Sequence, residues 1–277
     1  MRLSRHALLI VVLVALSPAV ARAVTVSPNA LFIDSRTRSG VLTLYNPGSL
    51  AEEIEITFAF GYPRSDLAGA ITVSLADSAP GGEPSVLGFV RAFPRRLRLE
   101  PGQRQTVRIL MQPPAGLAEG EYWGRVLIRS RGGRPPVEQQ QGGIRMQIDL
   151  ETVIVGAVNY RNGTMRTGIL VDSARASLSA GGDSVHVVTD LSRQGNAAYL
   201  GHMKLELVGA DGRVLGTVED DFAVYRSLRK IESITVPANT SLRGATVRYR
   251  FSTERPDIDA ESRLSAEPTI GTVPLSR

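Results

Sequence analysis

The sequence predicts an all-β protein built from two sandwich domains. Apolar residues recur at every second position through most of the chain, short runs of this kind are separated by Pro/Gly turn clusters, and no helical period of useful length competes with them.

The first residues, MRLSRHALLIVVLVALSPAVARA, combine a basic start at Arg2 and Arg5, an apolar run from Ala7 to Leu16, a break at Pro18 and Ala21-Arg22-Ala23. This pattern predicts a signal peptide over residues 1–23, cleaved after Ala23. The run falls short of the roughly 20 residues a membrane-spanning helix needs, and no later stretch approaches that length. The mature chain is therefore expected to be exported, without a membrane span. Cleavage removes three of the 32 Lys and Arg, leaving 29 against 27 Asp and Glu, a net charge of about +2. There is no cysteine, which excludes thiol catalysis, a CxxC redox role and cysteine-ligated zinc. A chain of about 250 residues buries a sufficient core without disulfides.

Each element follows from its own alternation. VLTLYNPGS runs into a turn at Asn46-Pro47-Gly48-Ser49. EEIEITFAFGYP alternates Ile54, Ile56, Phe58 and Phe60 before Gly61-Tyr62-Pro63. RRLRLEPGQRQTVRILMQPP sets two strands across Glu100-Pro101-Gly102, and EYWGRVLIRS follows. SRGGRPPVEQQQGG, from Ser130 to Gly143, loses the alternation and is expected to be a mobile hairpin loop. It leads into GGIRMQIDLETVIV, where Ile144, Met146, Ile148 and Leu150 form a regular apolar row. NYRNGTMRTG is expected to join the domains. Beyond it lie DSVHVVTDLSR, GHMKLELVGADGRVLGTVEDDFAVY, KIESITVPAN and TVRYRFSTE, with a hairpin signal at Asp211-Gly212. The expected domains span 24–158 and 159–256, and residues 257–277 read as a loosely ordered tail.

Four segments of the first domain carry a family resemblance. VTVSPNALFIDSRTRSGVLTLYNPG resembles the first two strands, with Asn46 after the second, of the PapD-like periplasmic chaperones of pilus assembly. FPRRLRLEPGQRQTVRI resembles their P…L.PG..q.vRI block through Pro94, Leu99, Pro101, Gly102, Val107, Arg108 and Ile109. LAEGEYWGRVLI resembles the segment before an aromatic strand, through Leu117, Glu121, Tyr122 and Trp123, and the row at 144–150 resembles the last strand of the family's first domain. The likeness covers residues 24–160.

The resemblance implies two immunoglobulin-like domains set in an L, a periplasmic location and a non-enzymatic role. It implies that Ile144, Met146, Ile148 and Leu150 act as a donor strand for β-rich exported subunit proteins, with an outer-membrane usher as a further partner and no cofactor. Pairing by strand addition demands period-two side chains, which this row has. The same alternation equally fits a strand facing its own core. In the family, two basic residues in the cleft between the domains hold a subunit's C-terminal carboxylate. Here the aligned positions are Ala30 and Val155, neither able to bind a carboxylate, with Arg36, Arg38 and Arg161 as nearby substitutes. The family's Leu-Pro-x-Asp-Arg-Glu element is also one residue short and lacks its Pro.

Other chemistry is weaker. Arg91, Arg95, Arg96 and Arg98 make one stretch basic, suiting an anionic polymer or lipopolysaccharide, although a solvated strand face explains it as well. The small net charge and the absence of a recognition motif argue against nucleic acid. His186 with Asp183 and Asp190 fits no metal or nucleophile spacing, and Glu219-Asp220-Asp221 lacks the alternating ligands of a calcium loop. Asn162-Gly163-Thr164 and Asn239-Thr240-Ser241 match the glycosylation tripeptide, which is common by chance. The alternative to a chaperone is a structural or adhesive cell-envelope module with the row in its core.

Overall fold

A computed structural model describes residues 23–132, 137–141, 144–148 and 150–276, with backbone alone for 137–141 and 144–148. The expected signal peptide lies outside these residues except for Ala23. Among the described residues the chain is all-β, and no helix is long and apolar enough to cross a membrane.

The first part of the chain contributes β1 (Thr25–Ser27), β2 (Ala30–Asp34), β3 (Ser39–Tyr45), β4 (Glu52–Ala59), β5 (Pro63–Ser65), β6 (Ile71–Val73), β7 (Val90–Phe93), β8 (Arg96–Leu99), β9 (Arg104–Met111), β10 (Gly120–Arg131), β11 (Val137–Gln141), β12 (Ile144–Ile148) and β13 (Glu151–Asn162). Two sheets, ordered β1-β3-β9-β7 and β2-β13-β10-β4-β8, form an immunoglobulin-like sandwich. The alternation explains the layering. In β9, Val107 and Ile109 are buried while Arg104, Thr106 and Arg108 face water; in β4, Ile54 and Ile56 point inward between Glu53 and Glu55. Their core is completed by Leu42, Leu44, Val126, Ile128, Val158 and Tyr160. Asn46 ties the β3 turn down: its Nδ2 donates to the carbonyls of Leu50 and Leu99 at 2.8 and 3.0 Å, and its Oδ1 accepts from Gly48 N–H at 2.9 Å.

The second domain comprises β14 (Thr167–Leu178), β15 (Ser184–Gly195), β16 (Tyr199–Val208), β17 (Val214–Val224), β18 (Ser227–Thr235), β19 (Thr246–Ser252) and β20 (Thr269–Ser276). They form one hydrogen-bonded sheet, ordered β17-β16-β19-β20-β14-β15-β18. Its two ends, β17 and β18, lie against each other, so the sheet folds over a single core that includes Val187, Leu191, Met203, Leu205 and Phe251. Asp211-Gly212 makes the expected hairpin between β16 and β17, with Gly212 at φ +80°.

Two boundaries differ from expectation. Position 158 falls inside β13, which runs to Asn162. The tail expected to be loosely ordered contains β20, paired antiparallel with β19 from Thr246↔Pro274 to Phe251↔Thr269 and touching β14 at Leu275 and Ser276. Gly271 lets the strand close: a Cβ there would collide with the Tyr249 ring and its hydroxyl.

Candidate functional site

The row at Ile144, Met146 and Ile148 occupies β12, which pairs with β11 in a separate two-stranded ribbon, with Ile144 opposite Gln141 and Ile148 opposite Val137. The last strand of the first sandwich is instead β13, beginning at Glu151, so the expected identity of row and last strand is corrected. The side chains of these three residues lie outside the described set. Leu150, between ribbon and β13, is 48 % exposed.

β13 pairs with β10 along its whole length, from Arg131↔Glu151 to Gly120↔Asn162. On its other side it meets β2 in parallel only from Ala157↔Ala30 to Arg161↔Asp34. Among the described residues, Glu151 to Gly156 therefore form a free sheet edge. Ala157 N–H donates to Asn29 O on the β2 side at 2.9 Å, and alternation directs the N–H and C=O groups of Val155, Val153 and Glu151 to that same side. The edge thus offers three donors and three acceptors to a strand laid along it. Its outer face carries Val153, 40 % exposed, and Val155, 45 % exposed, beside the ion-paired Glu151, while Ile154 turns to the core. These two valines were missed. The sequence signal was Val153-Ile154-Val155 itself, a run apolar on both faces of a strand that has only one core to face.

Beside the edge, the two domains enclose a cleft of about 440 Å³, lined by Ala30 and Phe32 of β2, Ala157 and Asn159 of β13, Arg125 of β10 and, across the seam, Tyr225 and Arg255. Ala30 faces Ala157 in register, not Val155, which stands outside the cleft opposite Leu127. Neither aligned anchor position carries a charge. Of the three substitutes, Arg36 pairs with Asp34 and Arg38 donates to Ser35 O. The buried Arg161 donates to Glu121 at 2.8 Å and to Ser262 O at 2.5 Å. Arg125, missed in sequence because it is one of 30 arginines, does face the cleft; its Nε donates to Gly61 O at 3.0 Å. Asn159 is 1 % exposed, and its Oδ1 has no partner among the described residues.

The seam that fixes this cleft is built from both domains. Phe60, Tyr62, Trp123, Ala198 and Tyr225 form a buried cluster, with Tyr62 stacked on Tyr225 at 5.5 Å between centroids. Glu121, from the aromatic-strand segment, accepts from Arg161 and from Ala198 N–H of the second domain. Burial pushes its carboxyl above the usual range, against the opposing pull of Arg161. Arg226 reaches Glu83 at 3.0 Å. Arg229 donates through its backbone N–H to Ser65 Oγ at 2.6 Å, and its guanidinium grips Asp190 at 2.6 and 3.0 Å.

The remaining polar candidates are absorbed by structure. His186 Nδ1 meets Ser233 Oγ at 2.9 Å and Asp190 serves Arg229. Glu219, Asp220 and Asp221 pair with Lys204, Lys230 and Arg255 respectively. Among the described residues no cluster of His, Asp or Glu is placed to hold a metal.

No family model and no curated protein matches the chain. Among solved structures, the YadV chaperone is similar with a TM-score of 0.45 and 11 % identity, covering 91 % of this chain and 99 % of that one. The class 5 fimbriae chaperone CfaA gives 0.44 and 10 %, over 90 % and 98 % of the two chains. The Pseudomonas aeruginosa CupB2 chaperone gives 0.41 and 12 %, over 91 % and 100 %.

Proposed function

We propose that this protein is a non-enzymatic, exported chaperone-like protein of the periplasm that caps β-rich subunits by lending them the free edge of β13. The observation that carries this reading is that edge: a six-residue stretch with aligned backbone donors and acceptors and exposed valines, held rigid by β10. Leu150 and the ribbon carrying Ile144, Met146 and Ile148 extend the contact toward the strand's start.

The magnitudes set limits on it. Six edge bonds at ~0.5–1.5 kcal/mol net contribute about 3–9 kcal/mol. Covering the still exposed parts of Val153 and Val155 adds about 1 kcal/mol each. Association and strand ordering cost several kcal/mol, so the edge alone gives modest affinity. In this reading the cleft supplies the second contact, with Arg125 meeting a client's acidic group in place of the missing basic pair at Ala30 and Val155.

The test is capture of exported polypeptides by tagged protein and by two double variants, Val153→Thr/Val155→Thr and Ile148→Thr/Leu150→Thr. A β-rich subunit should bind the parent and be lost from the first variant while its circular dichroism and melting stay unchanged. Partial loss from the second would place the ribbon in the contact. Equal capture by all three would assign the edge no role in binding.

A further inference from the structure

The two outer faces of the first sandwich treat their arginines differently. On the five-stranded sheet four of them have a carboxylate: Arg96 reaches Glu55 at 2.7 Å, Arg98 reaches Glu100 at 2.8 Å, and Arg129 and Arg131 reach Glu151 at 3.5 and 2.9 Å, while Arg125 turns to the cleft and the Gly61 carbonyl. On the four-stranded sheet, Arg91, Arg104 and Arg108 are exposed and form no ion pair among the described residues. The register sets them in rows, Arg91–Leu110–Ser39 and Phe93–Arg108–Val41, with Arg104 stacked over Tyr45 at 4.8 Å. The other outward positions of this face are serine and threonine, and none is acidic. Phe93 is 73 % exposed and Val41 44 %.

We propose that this face docks on an anionic phospholipid surface. Three unpaired guanidinium groups on one face of a sheet create a positive field that phosphate headgroups complement. A phenyl ring standing free beside them seats at the boundary between headgroups and acyl chains, where apolar tip and cation are both satisfied. Arg104, Arg108, Val41 and Phe93 stand on the open sheet face, with Arg91 at its edge beside a groove that also holds Asp77, and an open face fits a plane of headgroups better than a peptide. The basic stretch from Arg91 to Arg98 is thereby divided: Arg91 belongs to the docking face, whereas Arg96 and Arg98 lie on the other sheet and are neutralised. The proposal is independent of strand lending at β13, which occupies the opposite sheet.

The test uses residues 24–277, which contain both cores and omit the apolar leading segment. Flotation with vesicles of neutral phosphatidylcholine is compared with vesicles containing about 30 % phosphatidylglycerol. The anionic vesicles should bind the protein, and rising salt should release it. Arg91→Gln/Arg108→Gln should weaken binding about 25-fold, at roughly fivefold per arginine near a charged surface, and Phe93→Ser should weaken it further. Arg96→Gln/Arg98→Gln removes the same charge from the other face and should bind like the parent. Equal loss in the two charge variants, no binding to the anionic vesicles, or binding to soluble polyglutamate in their place overturns the proposal. No client is present, so failure here leaves the β13 reading untouched, and the reverse holds.

Discussion

Proline placed on the free edge separates lending a strand from merely owning one. The N–H groups of Val153 and Val155 point away from β10, because Ala157 N–H two residues on donates to Asn29 on that side. Val153→Pro/Val155→Pro therefore removes two edge donors without removing any bond of the β10–β13 ladder, and extended backbone accommodates proline at such positions. The fold should change by less than about 1 kcal/mol, as expected for proline on a solvent-facing edge. Client binding should suffer far more. Two lost bonds at about 1 kcal/mol each, plus rings that hold the incoming strand off, amount to about 3 kcal/mol, or roughly 150-fold in Kd. Ile154→Pro is the contrast, since its N–H faces β10 opposite Ile128; it should cost about 3 kcal/mol or more of stability. Isothermal titration with a captured subunit, beside urea denaturation, reads both quantities. Unchanged affinity in the edge variant would refute strand addition at β13, and a large loss of stability would refute the assigned direction of its N–H groups.

Three further outcomes are expected. The hydrogen bonds of Arg229 and then Ser173 hold the Asp190 carboxyl at about 2, down from 3.8; because the folded value is the lower, this stabilisation is complete above about pH 4 and disappears as pH falls through 2. Urea denaturation across that window should show a loss of up to about 2 kcal/mol that Asp190→Asn abolishes. Gly69→Ala should loosen the β5–β6 hairpin from the second domain by about 1–3 kcal/mol, since Gly69 sits at φ +80° and its Cβ would lie 2.6 Å from Ile231; protection of the Arg229 amide from hydrogen exchange should fall with it. Deleting residues 269–277 should unfold the second domain, which a melting curve would show as loss of β-sheet signal, whereas a dispensable tail would leave the curve unchanged.

Much of this architecture was legible because period-two patterns are local. β16, YLGHMKLELV, alternates buried and half-buried positions throughout, and Asp211-Gly212 marks its turn without any tertiary information. β20 was opaque because Thr, Gly and Pro dilute its alternation; it is a strand because Gly271 admits Tyr249 and because β14 touches it only beyond Pro274. The site was half legible. The row at 144–150 and the core-facing Ile154, Val158 and Tyr160 share one parity, so sequence ran ribbon and β13 together into a single strand, and the exposed Val153 and Val155 lie on the other parity. How far β2 accompanies β13 is a matter of pairing length, which no side-chain pattern encodes. The Glu121–Arg161 pair joins residues 40 apart that face each other in the β10–β13 register, and Glu121's second contact, Ala198 N–H of the other domain, depends on how the domains dock.

The chain contains one tryptophan, and it lies in the cluster between the domains, edge-on to Tyr62 and Tyr225 at 5.8 and 5.1 Å. Intrinsic fluorescence therefore reports on domain separation, while far-ultraviolet circular dichroism reports on the sandwiches themselves. If the two signals change together on denaturation, the two domains melt as one cooperative unit. If fluorescence changes first, the seam opens before either core does, and the cleft holding Arg125 is lost while both sandwiches persist.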